Sequence, residues 1–264
     1  MQVLVHDDVR IDARIDGSGD DAIVLIHGFP LAKEIWSAQI PVLARTHRVV
    51  AVDLRGMGGS SVVDGPYLME TLAGDVAAVM DHFSIDRATI VGHSLGGYVA
   101  LAFARMYVER VARLALVCSR IVADTPDVAN ARNELATRLE TSGSIDEILD
   151  KNVPALFAKK TLENRPEIVE KARKIAENHD PRGLAAMLRG MALRDSAEDI
   201  APELLMPVLA VGGGADPIVP RQETERMGRL FPDARLQWME GSGHAPMMEE
   251  ADRLSAVLEA FTAG

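Results

Sequence analysis

Cysteine is almost absent from the chain, which has one, Cys118, among 264 residues, so no disulfide can form within it. That scarcity favours a reducing compartment, and we expect a cytoplasmic protein. The first residues include neither a basic segment nor a long apolar core, so the sequence predicts no signal peptide. Apolar runs all fall short of the roughly 20 residues of a transmembrane helix, and we therefore expect no membrane as a partner.

Positive charge is also scarce, because 28 Lys and Arg residues stand against 39 Asp and Glu residues and leave a net charge of −11. With no basic stripe visible, the sequence argues against nucleic acid as a partner. The seven histidines lack metal-ligand spacings such as H-E-x-x-H, so we expect no metal and no other cofactor. What remains is a globular composition, whose length fits one large domain or a domain with an insertion.

Strand and helix patterns alternate along most of the chain. Residues 2–16 predict a hairpin, since polar and apolar side chains alternate over 9–15. Helical periodicity appears over 72–83 and 254–261. Short, mainly apolar runs predict strands at 22–26, 49–52, 88–91, 113–117, 207–211 and 236–239. This alternation predicts an α/β fold with a mostly parallel, doubly wound sheet.

Residues 121–202 break the alternation, because they contain no convincing strand pattern. Pro166 suits the first turn of a helix, and the charges after it are spaced four apart, as on a solvated helix face. We therefore predict a helical cap at 121–202, inserted between the sixth and seventh strands of a core domain made of 1–120 and 203–264. Met187 and Met191 give this cap an adaptable apolar patch, and we expect both to contact substrate.

The pentapeptide Gly92-His93-Ser94-Leu95-Gly96 lies between a predicted strand and a predicted helix. In a G-x-S-x-G turn at such a place, the chain reverses so sharply that the serine backbone is strained and its hydroxyl is exposed. The flanking glycines remove side chains that would collide where strand and helix cross. We interpret Ser94 as a nucleophile, and the helix N-terminus behind it favours a developing negative charge.

A serine nucleophile needs a base, and the base needs an orienting acid. Asp216 ends a glycine-rich turn after the strand at 207–211. His244 follows Gly241-Ser242-Gly243, after the strand at 236–239. Both residues therefore lie beyond the carboxyl ends of strands, at the edge of an open α/β sheet where ligands bind.

These segments, together with His27-Gly28-Phe29-Pro30 and residues 53–60, resemble the α/β-hydrolase superfamily over residues 22–264. The order serine, aspartate, histidine is the one that this fold uses. The resemblance implies that Ser94 is the nucleophile, that His244 is the general base and then the acid, and that Asp216 orients His244.

The resemblance also implies an oxyanion hole. Its donors would be the backbone N–H of Leu95, which follows the nucleophile, and that of Phe29, in the loop after the third strand. Pro30 has no N–H and cannot be the second donor.

Several ester chemistries fit the same resemblance. Residues 27–31 are similar to cofactor-free haloperoxidases and aryl esterases, which can use hydrogen peroxide in place of water, although that group usually has Phe and Met where this chain has His93 and Leu95. The cap and a Gly-Gly pair are similar to 3-oxoadipate enol-lactonases, whose carboxylate substrate calls for a cationic partner. The sequence offers four arginines for that part and singles out none of them: Arg120, Arg132, Arg189 and Arg194.

The leading prediction is a serine carboxylesterase for small to medium acyl groups, acting through an acyl-enzyme. Phe29 and His93 join Met187 and Met191 as expected substrate contacts. The expected partner is a small ester or lactone, and a homo-oligomer is left open. The alternative from another class is a non-catalytic ligand receptor on the same fold, against which the complete set of Ser94, Asp216 and His244 speaks.

Overall fold

One sheet of eight strands organises the computed structural model, which describes residues 1–6 and 8–263. The strands lie side by side in the order β1-β2-β4-β3-β5-β6-β7-β8. Their bounds are β1 (Gln2–His6), β2 (Val9–Asp16), β3 (Ala22–Ile26), β4 (Arg48–Val52), β5 (Ala88–His93), β6 (Val111–Val117), β7 (Val208–Gly213) and β8 (Ala234–Met239). The predicted hairpin forms from β1 and β2, β2 also pairs antiparallel with β4, and all pairings from β4 to β8 are parallel. The predicted α/β fold with a mostly parallel sheet is confirmed.

Ten α-helices surround this sheet within the described ranges. They are α1 (Gln39–Leu43), α2 (Met69–His82), α3 (Leu95–Met106), α4 (Pro126–Ser142), α5 (Lys159–Asn164), α6 (Pro166–Ala176), α7 (Pro181–Ala192), α8 (Arg221–Leu230), α9 (Pro246–Glu249) and α10 (Ala251–Thr262). Short 3-10 turns occupy Lys33–Trp36, Val108–Arg110, Pro154–Leu156 and Ala201–Glu203, and a π-helical turn occupies Ile148–Asn152. In the part of the chain that the structure describes, no helix has both the length and the apolar character needed to cross a membrane.

The central strand β3 is apolar along its whole length because helices cover both faces of the sheet. Every residue of β3 is buried. Val24 and Ile26 pack into the core on the side of α2 and α3, while Ile23 and Leu25 pack into the core on the side of α1 and α10. The two-residue period of a strand thus supplies both cores from one apolar run.

Two of the strands continue further than the apolar runs predict. Gly92 still pairs with Ile26 in the ladder between β5 and β3, and Gly213 pairs with Met239 between β7 and β8. Ladder hydrogen bonds join backbone groups, so a glycine extends a strand without adding to its apolar pattern. The loops that follow therefore begin closer to the functional residues than the sequence predicts.

The segment between β6 and β7 is helical, and residues 121–202 of it are called here the helical insertion. α4 begins where the Thr125 side chain accepts a hydrogen bond from the Val128 N–H, and it ends at Gly143 with φ of 65°. α6 starts at Pro166 as the sequence predicts, because proline needs no N–H partner in the first turn. α4 packs along α7, whose inner face is buried.

The carboxyl ends of the parallel strands meet at one edge of the sheet. The loops that leave β3, β5, β7 and β8 there carry Phe29, Ser94, Asp216 and His244, respectively. Since β3 neighbours β5 and β7 neighbours β8, the topology brings these loops together.

Candidate active site

Ser94 occupies the turn between β5 and α3 in a strained backbone conformation, with φ of 51° and ψ of −112°. A Cβ atom on Gly92 would lie 2.2 Å from the Gly96 carbonyl oxygen, and one on Gly96 would lie 2.4 Å from the Ile26 carbonyl oxygen. No side chain fits at either position. The Ser94 carbonyl accepts hydrogen bonds from the Gly97 N–H and the Ser119 hydroxyl, both at 2.9 Å, which hold the turn in place. The backbone geometry is that predicted from the G-x-S-x-G motif.

His244 and Asp216 form a buried hydrogen-bonded pair. Nδ1 of His244 donates to Oδ2 of Asp216 at 2.8 Å, and the two side chains are 1% and 2% exposed. A carboxylate can only accept, so the imidazole carries its proton on Nδ1 and leaves Nε2 free to take another. Asp216 Oδ1 accepts from the N–H groups of Ile218 and Val219 at 2.8 and 2.9 Å. Burial alone would raise the pKa of Asp216, but the hydrogen bond and charge of His244 and the two backbone donors lower it, so the carboxylate stays ionised.

Ser94 and His244 line one cavity of about 280 Å³ together with Phe29. The Ser94 hydroxyl has no hydrogen-bond partner among the described residues, so Oγ and the histidine Nε2 do not form a hydrogen bond. Such contacts in catalytic sites often tighten when substrate binds. The cavity therefore brings the Ser94 hydroxyl together with an imidazole whose other nitrogen is bonded to the Asp216 carboxylate.

The two backbone N–H groups predicted for an oxyanion hole are both available. Leu95 is the first residue of α3, where an N–H has no acceptor within its own helix. Neither the Leu95 N–H nor the Phe29 N–H donates to any acceptor in the described residues. The N-terminus of α3 adds partial positive charge at the same place.

His27 braces the loop that carries Phe29. Its Nε2 accepts from the Leu54 N–H at 3.0 Å, so its Nδ1 carries the proton and contacts the Gly28 carbonyl at 3.1 Å. Burial lowers the pKa of His27 to about 4, and the imidazole is neutral. This agrees with a supporting role and gives His27 no proton to exchange near neutral pH.

His93 does not line the cavity, and in this respect the prediction of a substrate contact is wrong. Its side chain is fully buried. Nε2 donates to the His244 carbonyl at 2.8 Å, while Nδ1 has no hydrogen-bond partner among the described residues. Burial lowers the pKa of His93 to about 3, which keeps the ring neutral. His93 is the last residue of β5, a strand covered on both faces. From there it supports the loop that carries His244, residues 240–245, which is called here the histidine loop.

Of the other three residues expected to contact substrate, two line the cavity and one does not. Phe29 and Met191 line the cavity. Met187 lies four residues earlier on α7, about 6 Å along the axis, where its side chain is fully buried and does not line the cavity. Its prediction as a substrate contact is therefore wrong, because helical periodicity gives the face of a residue and not its depth.

Glu249 is a supporting residue that the sequence analysis missed. It is 3% exposed and accepts four hydrogen bonds. Oε1 accepts from the N–H groups of Gly243 and Ala245, at 2.8 and 3.4 Å, on either side of His244. Oε2 accepts from the Ala158 N–H at 3.0 Å and the Thr161 hydroxyl at 2.6 Å, both in the helical insertion. One carboxylate thus bonds the histidine loop to the insertion. In the sequence, the acidic residue that ends the apolar segment after His244 could have indicated this role.

The backbone of His244 is held from two further directions. Its N–H donates to the Leu156 carbonyl at 2.8 Å, and its carbonyl accepts from His93. Leu156 belongs to the helical insertion and also lines the cavity. The position of the imidazole therefore depends on the core and on the insertion together.

Cys118 lies beside this pair, so that one ligand atom from each of Cys118, Asp216 and His244 falls within 4.8 Å of the others. Such a group can bind a metal ion when its members are free to do so. Here the carboxylate and the imidazole are bonded to each other, and burial raises the pKa of the Cys118 thiol well above its usual value. The arrangement is that of an acid and a base, with a protonated thiol packed against them.

A family model described as the alpha/beta hydrolase fold matches residues 21–251. The chain belongs to this family. An esterase from Thermogutta terrifontis, solved with malate bound, superposes with a TM-score of 0.95 and 33% identity and covers 100% of this chain and 97% of that one. The enol-lactonase from Burkholderia xenovorans LB400 superposes with a TM-score of 0.92 and 25% identity over 100% of both chains.

Curated relatives have related names. The pimeloyl-[acyl-carrier protein] methyl ester esterase of Aeromonas hydrophila is 28% identical over 257 residues, which are 93% of this chain and 96% of that protein. The chain spans 65% of the length of another relative, the dihydrolipoyllysine-residue acetyltransferase component of the acetoin cleaving system of Pseudomonas putida, with 29% identity over 253 residues.

Replacing Glu249 with Gln should destabilise the protein. The amide keeps the shape of the side chain but can accept at one atom only, so it turns an NH₂ group toward backbone N–H groups that have no other partner. Leaving a buried polar group unsatisfied costs about 1–3 kcal/mol, and urea unfolding of Glu249→Gln should show a loss of this size. Glu259→Gln removes an exposed carboxylate paired with Arg45 and should change little; equal stabilities of the two variants would contradict the role of Glu249.

Stability should fall as the pH is lowered from 7 to 5.5, in part through His27 and His93. Their pKa values of about 4 and 3 in the folded protein lie below the unfolded value near 6.5, so the unfolded chain binds more protons in this range. Each histidine should remove on the order of 1 kcal/mol from the free energy of unfolding. In urea unfolding at both pH values, His93→Asn should lose part of the pH dependence, whereas His82→Asn, at an exposed position, should keep it. An unchanged dependence in His93→Asn would refute the assignment.

Proposed function

We propose that this ester hydrolase attacks its substrate with Ser94, uses His244 as general base and acid, and uses Asp216 to orient His244. The observation that carries the proposal is the shared cavity: the strained, half-buried Ser94 opens into the same space as a histidine whose Nδ1 is bonded to a buried carboxylate. A ligand receptor would need neither the strained turn nor the buried acid–base pair.

In the proposed reaction, Ser94 Oγ bonds to the ester carbonyl carbon while His244 Nε2 takes the hydroxyl proton. The carbonyl oxygen becomes an anion, and the N–H groups of Leu95 and Phe29 stabilise it. The tetrahedral intermediate collapses when His244 returns the proton to the leaving alcohol, which gives an acyl-enzyme. Water then repeats both steps and releases the acid. The ionised Asp216 stabilises the imidazolium that forms twice in each cycle.

Small to medium acyl groups fit the dimensions of the site. A volume of about 280 Å³ is close to the lower limit of small-molecule sites, roughly 300–1,000 Å³. Phe29, Leu156 and Met191 supply apolar walls. In this proposal the insertion at 121–202 acts as a cap: it contributes Leu156 and Met191 to the walls, excludes water and selects the substrate.

Lactone hydrolysis is the second candidate, because an enol-lactonase shares the fold over its whole length at 25% identity. A lactone is a cyclic ester, so the same residues would open it and keep acid and alcohol in one product. Hydrogen peroxide in place of water in the second half-reaction would give a peracid by the same route.

A series of 4-nitrophenyl esters from acetate to decanoate tests the esterase. Turnover should be greatest for the short acyl groups and fall as the chain outgrows the cavity. In Ser94→Ala, kcat should fall on the order of 10⁶-fold, as when the nucleophile of subtilisin is removed.

Ser142→Ala, at an exposed position of the insertion, is the matched control and should retain full activity. A folded Ser94→Ala that kept most of its activity would overturn the nucleophile. Lactones of five- and six-membered rings, assayed in parallel, separate the two candidates.

A further inference from the structure

The cavity beside Ser94 is positively charged, although the chain as a whole has a net charge of −11. Two of its lining residues are arginines, Arg120 and Arg132, and no acidic side chain lines it. An ester that is neutral throughout has no use for such a charge.

Arg120 is without an ionic partner in the described residues. Nη2 donates to the Ile218 carbonyl at 2.7 Å, which holds the guanidinium against the loop of Asp216. Nε is buried and makes no hydrogen bond within the described residues. On its other side Arg120 borders a pocket of about 30 Å³, which Glu70 and Asp195 also line, yet neither carboxylate forms an ion pair with it. Nη1 forms no hydrogen bond within the described residues, so Nη1 and the second N–H of Nη2 remain for a ligand.

The charge of Arg132 is compensated only in part. Nε donates to Asp124 Oδ2 at 2.6 Å. The same carboxylate serves Arg194, whose Nη1 lies 2.8 Å from Oδ1 as an ion pair outside hydrogen-bond geometry. Burial would raise the pKa of Asp124, but both arginines lower it, so it is ionised. One carboxylate thus faces two guanidiniums, and with Arg120 the group retains a positive excess.

We propose that the cavity contains an anion subsite formed by Arg120 and assisted by Arg132, and that the substrate is a short ester with a second, carboxylate group. The inference rests on the proposed function, which places the ester at Ser94. Arginine pairs with a carboxylate through two parallel hydrogen bonds, which fixes the orientation of the ligand as well as its charge. The small volume limits the spacer between ester and carboxylate to a few carbon atoms.

The test compares 4-nitrophenyl hydrogen glutarate with 4-nitrophenyl methyl glutarate, in which the distal carboxylate is a neutral methyl ester. The wild-type protein should prefer the anionic ester by tenfold or more in kcat/KM. In Arg120→Gln this preference should fall by about 10–100-fold, the equivalent of a charge-assisted hydrogen bond, and mainly through KM. Arg120→Lys should restore part of it.

Arg189→Gln is the matched control, since Arg189 is bonded to Glu140 on the outer side of the insertion and does not line the cavity. It should keep the wild-type preference. If Arg120→Gln fails to fold, Arg132→Gln takes its place, with a smaller loss expected. No preference for the anionic ester in the wild type, in this pair and in the second pair described below, or an unchanged preference in a folded Arg120→Gln, would overturn the subsite.

A second pair of esters, 3-acetoxybenzoate and its methyl ester, presents the carboxylate on the alcohol side. A preference for the anion in either pair supports the subsite, and the pair that shows it identifies the side on which the carboxylate lies.

A binding measurement separates the subsite from the proposed hydrolysis. Succinate and glutarate should raise the melting temperature of the wild-type protein, and the shift should be lost in Arg120→Gln. Shifts without any ester turnover would support the subsite while contradicting the proposed function. Ester turnover with no shift in melting temperature and no preference for the anionic ester would contradict the subsite while supporting the proposed function.

Discussion

The reversal of the chain at Ser94 is the constraint from which the site follows. A non-glycine residue at φ of 51° costs on the order of 1–3 kcal/mol, so the surroundings must hold it. Hydrogen bonds to the Ser94 carbonyl and the close crossing of β5 and α3 do so. The crossing in turn requires glycine at 92 and 96. Because the neighbouring strands are parallel, the loops carrying Phe29 and His244 reach the same edge of the sheet as Ser94.

A second group of interactions determines the position of His244. The backbone of His244 is bonded to the core through His93 and to the helical insertion through Leu156. Glu249 reinforces the connection to the insertion with a single buried carboxylate. Burial keeps His27 and His93 neutral, so neither of these histidines takes up a proton near neutral pH.

The sequence predicts the sheet, the helical nature of 121–202 and the meeting of Ser94, Asp216 and His244, because each of these depends on local pattern or on chain order. How deeply a side chain is buried and which residues it bonds to do not follow from local pattern, since both depend on residues distant in sequence. Met187 and Met191 share a helix face and are both buried in the core, yet only Met191 also lines the cavity. Glu249 acquires its role from partners at 158, 161 and 243. The four arginines are alike in sequence, and their tertiary partners distinguish them: Arg189 is bonded to Glu140 outside the cavity, whereas Arg120 forms no ion pair within the described residues.

The hydrogen bonds between the insertion and the histidine loop have a consequence for how such proteins can diversify. An inserted segment is an obvious place to change specificity, since it supplies Leu156 and Met191 to the walls without touching Ser94 or Asp216. Here, however, the same segment supplies the Leu156 carbonyl, the Ala158 N–H and the Thr161 hydroxyl, which hold the histidine loop in position directly or through Glu249. A chimaera that exchanged the whole insertion with that of a relative would need to reproduce those three groups as well as a new wall. Evolution and engineering alike therefore have more freedom in α4 and α7 than in residues 156–161.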